Sequence, residues 1–351
     1  MRVGISLLTL VPGLSGGSET YARELVRTLG QVGVGQNSYS VFLPTIAGDV
    51  RGLPAEVIAE YRASRSTAGR LGAMAQASAF GGRIRRHFDG LDVLHFPMTL
   101  MIPRVAAPPA VITVLDVQHE ALPQFFSRAE LAYRRAAYGW SVRRSALVIT
   151  ISHHAAEAIA EHLGISEERI RPIHLGIDHA VLKPSSEERG SFLLYPARAW
   201  PHKNHRALFA AFEVLRQRHP DLELVLTSYE GPVPDGVRSL GHVPRAELVR
   251  LYQTAAALVF PSLYEGFGQP PLEAMACGCP VACSDAASLP EVVSDAARLF
   301  DPSSVEELID AVEDVLANSD EWRRRGLQRA RAFTWEETAR RHEEVYAELA
   351  A

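Results

Sequence analysis

The chain has 351 residues, of which 47% are hydrophobic and 22% charged, a composition typical of ordinary globular proteins and long enough for two hydrophobic cores. No apolar run approaches the roughly 20 residues that span a bilayer, so we expect a cytoplasmic protein without a signal peptide. Residues 1–182 carry 18 arginines against 15 acids, and residues 183–351 carry 18 basic against 26 acidic residues. This charge pattern argues against a nucleic-acid partner.

Strand and helix patterns alternate through the first half of the chain. They comprise strands at residues 3–8, 93–95, 110–115 and 147–151, a glycine turn at 13–18, and helices at 19–29, at 128–144 and after Ser152, which is placed to cap its helix. A strand that leads through a glycine turn into a helix is a βα unit, and its repetition predicts a parallel α/β domain.

A polar stretch at residues 183–188 marks the predicted linker. A second series follows, with strands at 192–195, 222–227, 257–260, 281–283 and 298–300, and helices at 245–254 and 271–276. The last helix, residues 335–349, is amphipathic and needs a surface for Val345, Tyr346 and Leu349. We therefore predict domains at 1–183 and 188–333, with the helix of residues 334–351 crossing back to the first domain.

The three cysteines, Cys277, Cys279 and Cys283, have no histidine at zinc-finger spacing and are predicted to be buried thiols.

A basic segment occupies residues 61–87. It contains six arginines and no acid: Arg62, Arg65, Arg70, Arg83, Arg85 and Arg86. Such a segment suits an anionic acceptor or an anionic membrane surface, while a solvated basic face is the other interpretation. The pattern from Phe125 to Trp140 mixes aromatic residues with arginines, which is typical either of a peripheral membrane contact or of packing within the first domain.

The most informative stretch is residues 261–276, where a buried strand pattern passes through a glycine loop into a helix. The loop Gly266-Phe267-Gly268-Gln269 lets backbone amides approach a ligand, and the following Pro-Pro pair suits a helix start, which attracts phosphate. Glu273 lies in the first turn of the helix, where an acid can hold the hydroxyls of a ribose. Glu265, still in the loop, can face a sugar.

Two glutamates separated by seven residues around this loop resemble the signature of glycosyltransferase family four, a large retaining family of GT-B fold. Further motifs of the family occur in order along nearly the whole chain: Gly16-Gly17, Ile149-Thr150-Ile151-Ser152, Ile173-His174-Leu175-Gly176-Ile177-Asp178, Tyr195-Pro196-Ala197-Arg198, Lys203-Asn204, Gly241-His242-Val243 and Pro280-Val281. The resemblance implies an α/β protein with two Rossmann-like domains that face each other across a cleft. It also implies transfer of a sugar from a nucleotide diphosphate donor to a hydroxyl acceptor with retention of configuration.

The family pattern also implies roles for individual residues. By position it assigns Arg198 and Lys203, with the backbone amides of Gly16 and Gly17, to the donor diphosphate, Glu273 to the ribose and Glu265 to the donor sugar. Two cations suit this chemistry, because negative charge develops on the leaving diphosphate. Lys203 is one of only two lysines in a chain with 34 arginines, which favours a point-charge phosphate contact over a random surface residue.

Asp116 and His119 are further catalytic candidates. Family members usually carry a histidine immediately before this aspartate, and Leu115 stands there instead. His119 either faces the donor sugar from the same loop or packs as a loop histidine on Pro123 or Phe125.

No metal or other cofactor is expected. The chain has no Asp-x-Asp motif, and His153-His154 lacks a third ligand at zincin spacing. Fixed cations are expected to replace the metal. His95 ends a strand at a carboxyl edge and is interpreted as a structural histidine rather than a ligand-binding one.

Other functions remain open at this point. A GT-B sugar-nucleotide epimerase would share the nucleotide site without an acceptor groove, and a non-catalytic sugar-nucleotide-binding protein would be expected to lose one of the four charged site residues. A dinucleotide oxidoreductase is excluded because the turn at residues 13–17 lacks Gly-x-Gly-x-x-Gly. The loop at residues 116–126, with Phe125-Phe126, resembles that of short mannosyltransferase-like members, and this resemblance favours GDP-mannose over a UDP-hexose as donor. The acceptor is a glycan, a glycolipid or a small molecule, and the arginine-rich composition suggests a bacterium of high GC content.

Overall fold

The structure is a computed structural model that describes residues 1–14, 16–32 and 37–350. The chain folds into two compact units, an N-terminal unit, Met1–Gly176 with Trp335–Ala351, and a C-terminal unit, Ile177–Thr334. The division falls a few residues before the polar stretch of the predicted linker, because Ile177 forms a parallel β-bridge with Thr334 and so stays with the C-terminal unit. Ser15, in the predicted glycine turn, lies outside the described residues.

The N-terminal unit is built around a parallel sheet. Its strands are β1 (Arg2–Ser6), β2 (Ser38–Leu43), β3 (Ala55–Val57), β4 (Val93–Phe96), β5 (Ala110–Thr113), β6 (Leu147–Thr150) and β7 (Ile170–Pro172), and its first helices are α1 (Gly17–Val32), α2 (Thr67–Phe80), α3 (Gly82–Arg85), α4 (Gln118–Ala121), α5 (Arg128–Arg144) and α6 (His153–Leu163). The strand order is β3-β2-β1-β4-β5-β6-β7. The order reverses between β1 and β4, which is where ligands bind in doubly wound folds.

The central strands are apolar on both faces because helices cover both sides of a parallel sheet. Every residue of β5 and β6 is buried. Helix α6 begins as predicted, with the hydroxyl of Ser152 accepting a hydrogen bond from the Ala155 amide at 3.0 Å.

The C-terminal unit repeats this architecture. Its strands are β8 (Phe192–Pro196), β9 (Glu223–Thr227), β10 (Val237–Ser239), β11 (Ala257–Phe260), β12 (Val281–Ser284) and β13 (Arg298–Phe300), and its helices are α7 (His205–Arg218), α8 (Arg245–Thr254), α9 (Gln269–Ala276), α10 (Leu289–Val293), α11 (Val305–Ala317) and α12 (Ser319–Ala330). The sheet order is β10-β9-β8-β11-β12-β13, with the reversal between β8 and β11. Two parallel, Rossmann-like sheets confirm the predicted α/β fold class.

The last helix, α13 (Trp335–Ala350), belongs to the N-terminal unit, where it packs against α1. Val345 and Tyr346 are buried on its inner face. This amphipathic helix follows the sheet of the C-terminal unit in sequence, but it covers a surface of the N-terminal unit.

A chain of buried hydrogen bonds joins α13 to the elements beneath it. The bonds run from the Thr338 carbonyl to His342 Nδ1 (2.7 Å), from His342 Nε2 to the Tyr21 hydroxyl (2.8 Å), from Tyr21 to the Thr113 hydroxyl (2.9 Å), from Thr113 to His95 Nε2 (2.8 Å) and from His95 Nδ1 to the Tyr346 hydroxyl (2.8 Å). The Thr338 carbonyl can only accept, so His342 Nδ1 carries a proton. With both imidazoles neutral, the donors are then the Tyr21 hydroxyl to His342 Nε2, the Thr113 hydroxyl to Tyr21, His95 Nε2 to Thr113 and the Tyr346 hydroxyl to His95 Nδ1. Burial lowers the pKa of both histidines, which favours that neutral form. His95 is therefore the structural histidine that the sequence favoured.

The cysteines are buried free thiols, as predicted. Burial raises the pKa of Cys277 to about 12 and that of Cys279 to about 11. Both thiols therefore stay protonated and act as packing residues.

No helix among the described residues is both long enough and apolar enough to cross a bilayer.

Candidate functional site

The candidate site of the C-terminal unit lies on the segments that follow β8 and β11. These strands flank the point where the strand order reverses, so their carboxyl ends meet at one edge of the sheet. Arg198 and Lys203 follow β8, and Glu265 follows β11. Residues far apart in sequence are brought together by the parallel register of two neighbouring strands.

Lys203 and Glu265 form an ion pair within this site. The ammonium Nζ lies 2.5 Å from Glu265 Oε1, and the hydroxyl of Ser262 donates to the same oxygen at 2.5 Å. The two charged side chains are 13% and 15% exposed. Partial burial strengthens the pair relative to a surface ion pair, and the pairing orients the carboxylate while a face of each group stays accessible.

The backbone of both segments is held by further hydrogen bonds. The Tyr195 hydroxyl donates to the Lys203 carbonyl at 2.6 Å, and the Ser288 hydroxyl donates to the Glu265 carbonyl at 2.8 Å. A cation and a carboxylate on rigid segments can hold a phosphate and a sugar hydroxyl in a fixed relative position. Sequence reasoning missed the roles of Ser262, Tyr195 and Ser288, because no local pattern marks hydroxyls that form hydrogen bonds across the fold.

The glycine loop leads from Glu265 into α9. Gly268 has a φ of +104°, and a Cβ at this position would lie 2.6 Å from Leu289 Cδ2, so the turn requires glycine. Helix α9 begins at Gln269, which places Pro270 and Pro271 at its second and third positions. These prolines have no N–H, so the start of this helix offers fewer amides to an anion than a helix start without proline.

Glu273 in α9 is clamped by a residue that no sequence motif indicated. Arg245, the first residue of α8, donates from both terminal nitrogens to the two oxygens of Glu273, at 2.8 and 2.9 Å. Glu273 is only 7% exposed. A bidentate arginine offsets the burial of the carboxylate and holds its plane in one orientation. Arg245 follows the Gly241-His242-Val243 motif, but nothing in the local pattern pairs it with Glu273.

The Arg198 side chain takes no part in the Lys203–Glu265 ion pair. Its side chain is exposed, and its guanidinium carbon lies 5.4 Å from the centroid of the Trp200 ring. In the part of the chain that the structure describes, Arg198 forms no ion pair, so it presents a full positive charge at the end of β8.

The predicted glycines of the N-terminal unit lie at the corresponding edge of the other sheet. Gly16 has a φ of +51° and Gly17 is the first residue of α1, and both are exposed. Glu19 anchors the turn by accepting a hydrogen bond from the Gly13 amide at 2.8 Å. The backbone here is open, since a Cβ added at Gly16 or Gly17 would have no other atom within 4 Å.

Asp116 and His119 follow β5. The Asp116 carboxylate accepts a hydrogen bond from the Gln118 amide at 3.1 Å. The His119 ring has no exposed surface and packs edge-on against Tyr138, with centroids 5.0 Å apart, and against Phe126 at 6.4 Å. Burial lowers its pKa to about 4. The structure thus places His119 as a neutral, buried imidazole in contact with Phe126 and Tyr138.

Two protein-family models cover most of the chain. The model described as Glycosyltransferase Family 4 matches residues 15–181, and the model described as Glycosyl transferases group 1 matches residues 181–333.

Several curated relatives of this sequence are mannosyltransferases by name. O-antigen chain mannosyltransferase B of Escherichia coli is 32% identical over 259 residues, which is 65% of this chain and 67% of the relative. The MMP alpha-(1->4)-mannosyltransferase of Mycolicibacterium hassiacum is 32% identical over 58% of this chain and 54% of the relative. The serotype-specific mannosyltransferase WbdA of Escherichia coli is 31% identical over 56% of this chain and 28% of the relative. The matches thus span from 28% to 67% of the length of these relatives.

Solved structures share the fold over nearly the full length. Sucrose-phosphate synthase from Thermosynechococcus elongatus superposes with a TM-score of 0.78 at 18% identity, over 99% of both chains. Anabaena HepE in complex with UDP-glucose superposes with a TM-score of 0.73 at 18% identity, over 99% of this chain and 100% of that one. At this identity the likeness shows the fold alone.

Proposed function

Because the chain belongs to the glycosyltransferases of family four, whose fold is GT-B, we propose that it transfers a sugar from a nucleotide diphosphate sugar to a hydroxyl acceptor with retention of anomeric configuration. One observation carries the proposal. Lys203 and Glu265, at the ends of two neighbouring strands, form a partly buried pair at 2.5 Å. This pair joins a phosphate-binding cation to a carboxylate that can accept hydrogen bonds from sugar hydroxyls.

Lys203 and Arg198 are assigned to the donor diphosphate. When the glycosidic bond breaks, negative charge grows on the departing diphosphate, and positive groups already in place stabilise it without reorganisation. Lys203 is held by Glu265 on one side, and Arg198 presents an exposed guanidinium nearby in sequence at the end of β8. We propose that these cations perform the role for which other sugar transferases use a divalent metal.

Glu273 is assigned to the ribose. A carboxylate offers about four lone-pair positions, and Arg245 uses one on each oxygen. The remaining positions suit two vicinal hydroxyls, and the arginine keeps the carboxylate in the orientation that such a pair requires.

Retention is proposed to follow a front-face route. Glu265 is poorly suited to nucleophilic attack, because Lys203 balances its charge and Oε1 already accepts two hydrogen bonds. The acceptor hydroxyl then attacks from the side on which the diphosphate leaves, and a phosphate oxygen takes its proton. The forming bond is acceptor oxygen to anomeric carbon, and the breaking bond is anomeric carbon to phosphate oxygen, so both charge and atoms balance.

The proposed donor is GDP-mannose. Several relatives at 31–32% identity are named mannosyltransferases, and the resemblance of the loop at residues 116–126 to short mannosyltransferase-like members points to the same donor. A UDP-hexose is the second candidate, supported by the solved UDP-glucose complex of a protein with the same fold. We assign the donor to the C-terminal unit and the acceptor to the N-terminal unit.

A panel of nucleotide sugars, scored by thermal unfolding, tests the proposal. A donor at 100 times its dissociation constant adds about 2.7 kcal/mol to the free energy of unfolding. We expect stabilisation by GDP-mannose, reduced in Glu273→Ala and unchanged in Arg250→Gln, at an exposed position of α8. Absence of stabilisation by every nucleotide sugar would contradict the proposal.

Nucleotide release separates the three classes of function. A transferase releases GDP faster when the acceptor is present, an epimerase turns over the sugar nucleotide without any acceptor, and a non-catalytic binding protein releases none.

A further inference from the structure

A groove lies in the N-terminal unit between α2 and α5. It consists of two cavities of about 730 and 740 Å³, which share the wall residues Leu71, Met74, Leu100 and Tyr133. Each volume is in the range of small-molecule sites, about 300–1,000 Å³. We call the pair the helix groove, and distinguish within it an apolar cavity and a polar cavity.

Small side chains create the space in the apolar cavity. They come from both helices: Ala75, Ser78 and Ala79 of α2, and Ala136 and Ala137 of α5. Trp140 and Ile102 complete the wall, and the guanidinium carbon of Arg104 lies 4.3 Å from the Trp140 ring centroid. Opposed alanines flanked by large apolar groups leave a channel for a slender apolar ligand.

Most of the apolar cavity's wall carries no hydrogen-bonding group, the exceptions including Ser78, Arg104 and Ser141. The hydroxyl of Ser141 donates to the Ala137 carbonyl at 2.8 Å and accepts from the Met101 amide at 3.2 Å, so its bonds are already made. A peptide segment would bring backbone N–H and C=O groups that need partners. A hydrocarbon chain has no such requirement.

The polar cavity lies where the strand order of the sheet reverses. Thr9 follows β1 and Thr99 follows β4, and both line the cavity. Thr99 has a φ of +64°, an unfavourable conformation for a β-branched residue that is typically retained at functional sites. The polar cavity therefore occupies the position at which doubly wound domains bind ligands.

Positive charge lines this cavity. Arg70 donates to the Thr67 hydroxyl at 3.2 Å and forms no ion pair within the described ranges. Arg134, on the opposite helix, is already paired with Glu130 at 2.8 Å. Within the polar cavity, Arg70 is thus the described cation left to meet an anionic ligand, and it directly precedes Leu71, which lines both cavities.

We propose that the helix groove binds the acceptor, and that the acceptor is an amphiphile in which a phosphate links a hydrocarbon chain to the group that is glycosylated. The chain lies in the apolar cavity, the phosphate contacts Arg70, and the head group lies along the polar cavity by Thr9 and Thr99. This inference rests on the proposed transferase function, whose acceptor class it specifies. In this proposal, the basic segment at residues 61–87 and the aromatic-rich segment from Phe125 to Trp140 form the two walls of one site.

Quenching of Trp140 by a brominated amphiphile tests the proposal. The probe is 12-bromododecyl phosphate, used below its critical micelle concentration, because bromine quenches an indole that it contacts. We expect saturable quenching that Trp140→Phe abolishes. Lengthening the bromoalkyl chain by two CH₂ groups should tighten binding roughly tenfold, which a site for phosphate alone would not show.

Matched variants locate the two parts of the probe. Ala137→Phe fills the apolar cavity and should weaken binding roughly tenfold or more, whereas Ala132→Phe, an exposed position of α5 outside the groove, should not. Arg70→Ala should weaken the alkyl phosphate roughly tenfold but leave the uncharged bromododecanol unaffected. Arg83→Ala, in the same basic segment but outside the groove, is the control.

Four outcomes would overturn the inference. The first two are quenching that does not saturate and equal binding by the Ala137→Phe and Ala132→Phe variants. The third is binding only to phosphatidylglycerol vesicles, which would identify a membrane surface instead. The fourth is dimerisation that protects Trp140, which would identify a second copy of the chain as the occupant. Donor binding, measured on the wild type and on Ala137→Phe, keeps the two proposals separate. Lack of donor binding by the wild type would contradict the transferase proposal. The quenching result decides whether the helix groove binds the amphiphile.

Discussion

Arg245 donates to both oxygens of Glu273, at 2.8 and 2.9 Å, although the two residues are 28 positions apart in the sequence. The pair links the start of α8 to the fifth residue of α9, so Glu273 lies beyond the first turn in which the sequence pattern placed it. It means that the orientation of the proposed ribose-binding carboxylate depends on a second helix.

The first prediction concerns this pair. Glu273→Ala should raise the Michaelis constant for the donor by roughly 10- to 100-fold with a smaller effect on turnover, because a ribose contact is equal in the ground and transition states. Arg245→Gln should act in the same direction but less strongly. Steady-state kinetics decide this, with Arg250→Gln on the same helix as control. An unchanged Michaelis constant in Glu273→Ala would remove the assignment.

Lys203→Ala should instead lower turnover more than it raises the Michaelis constant for the donor. Its contact with the diphosphate strengthens as the bond breaks, so turnover should fall by roughly 10²–10³, the scale of a lost oxyanion donor. Glu265→Gln should affect both turnover and the Michaelis constant. Lys183→Ala is the matched control, since Lys183 is the only other lysine. Full turnover in Lys203→Ala would show that this residue does not stabilise the leaving group.

Chelation tests whether fixed cations replace a metal. We expect turnover to be unchanged after dialysis against EDTA, and addition of Mg²⁺ or Mn²⁺ to have no effect. A loss of activity that divalent metal restores would mean that Arg198 and Lys203 are insufficient on their own.

The stereochemistry of the product tests the front-face route. With an α-linked donor, the first-formed product should be α-linked, as read from its anomeric coupling by NMR. A β-linked product would require attack from the opposite face and a general base that these assignments do not include.

The buried chain through Tyr21 and His342 predicts a pH dependence of stability. Burial lowers the pKa of His342 to about 4 in the folded state, while an unfolded histidine titrates near 6.5. Between these values the unfolded state binds more protons, so stability is complete above about pH 6.5 and falls as pH decreases towards 4. For one such histidine the loss is on the order of 3 kcal/mol.

Unfolding by denaturant at several pH values measures this effect. His342→Gln should be less stable at pH 7.5 and should show a shallower loss on acidification, because one titrating group is gone. His162→Gln, at an exposed position of α6, should match the wild type. An unaltered slope in His342→Gln would show that this histidine is not held neutral.

Local signals in the sequence determined the fold class and the order of its elements. Apolar runs bounded by glycine and proline reveal buried parallel strands, because such strands are covered on both faces, and the observed α5 and α8 begin and end where their patterns do. The family motifs likewise placed Glu265, Glu273, Arg198 and Lys203 on segments at strand ends, since turn residues and helix starts are encoded by a few neighbouring residues.

Only the tertiary structure decided which side chains meet. Lys203 pairs with Glu265, Arg245 with Glu273 and Tyr21 with His342 because parallel strands and packed helices bring together residues that are 62, 28 and 321 positions apart. The helix groove has the same origin: the basic segment and the aromatic helix form separate patterns in the sequence. Their arrangement as two walls of one site depends on packing across the sheet, which no local pattern encodes.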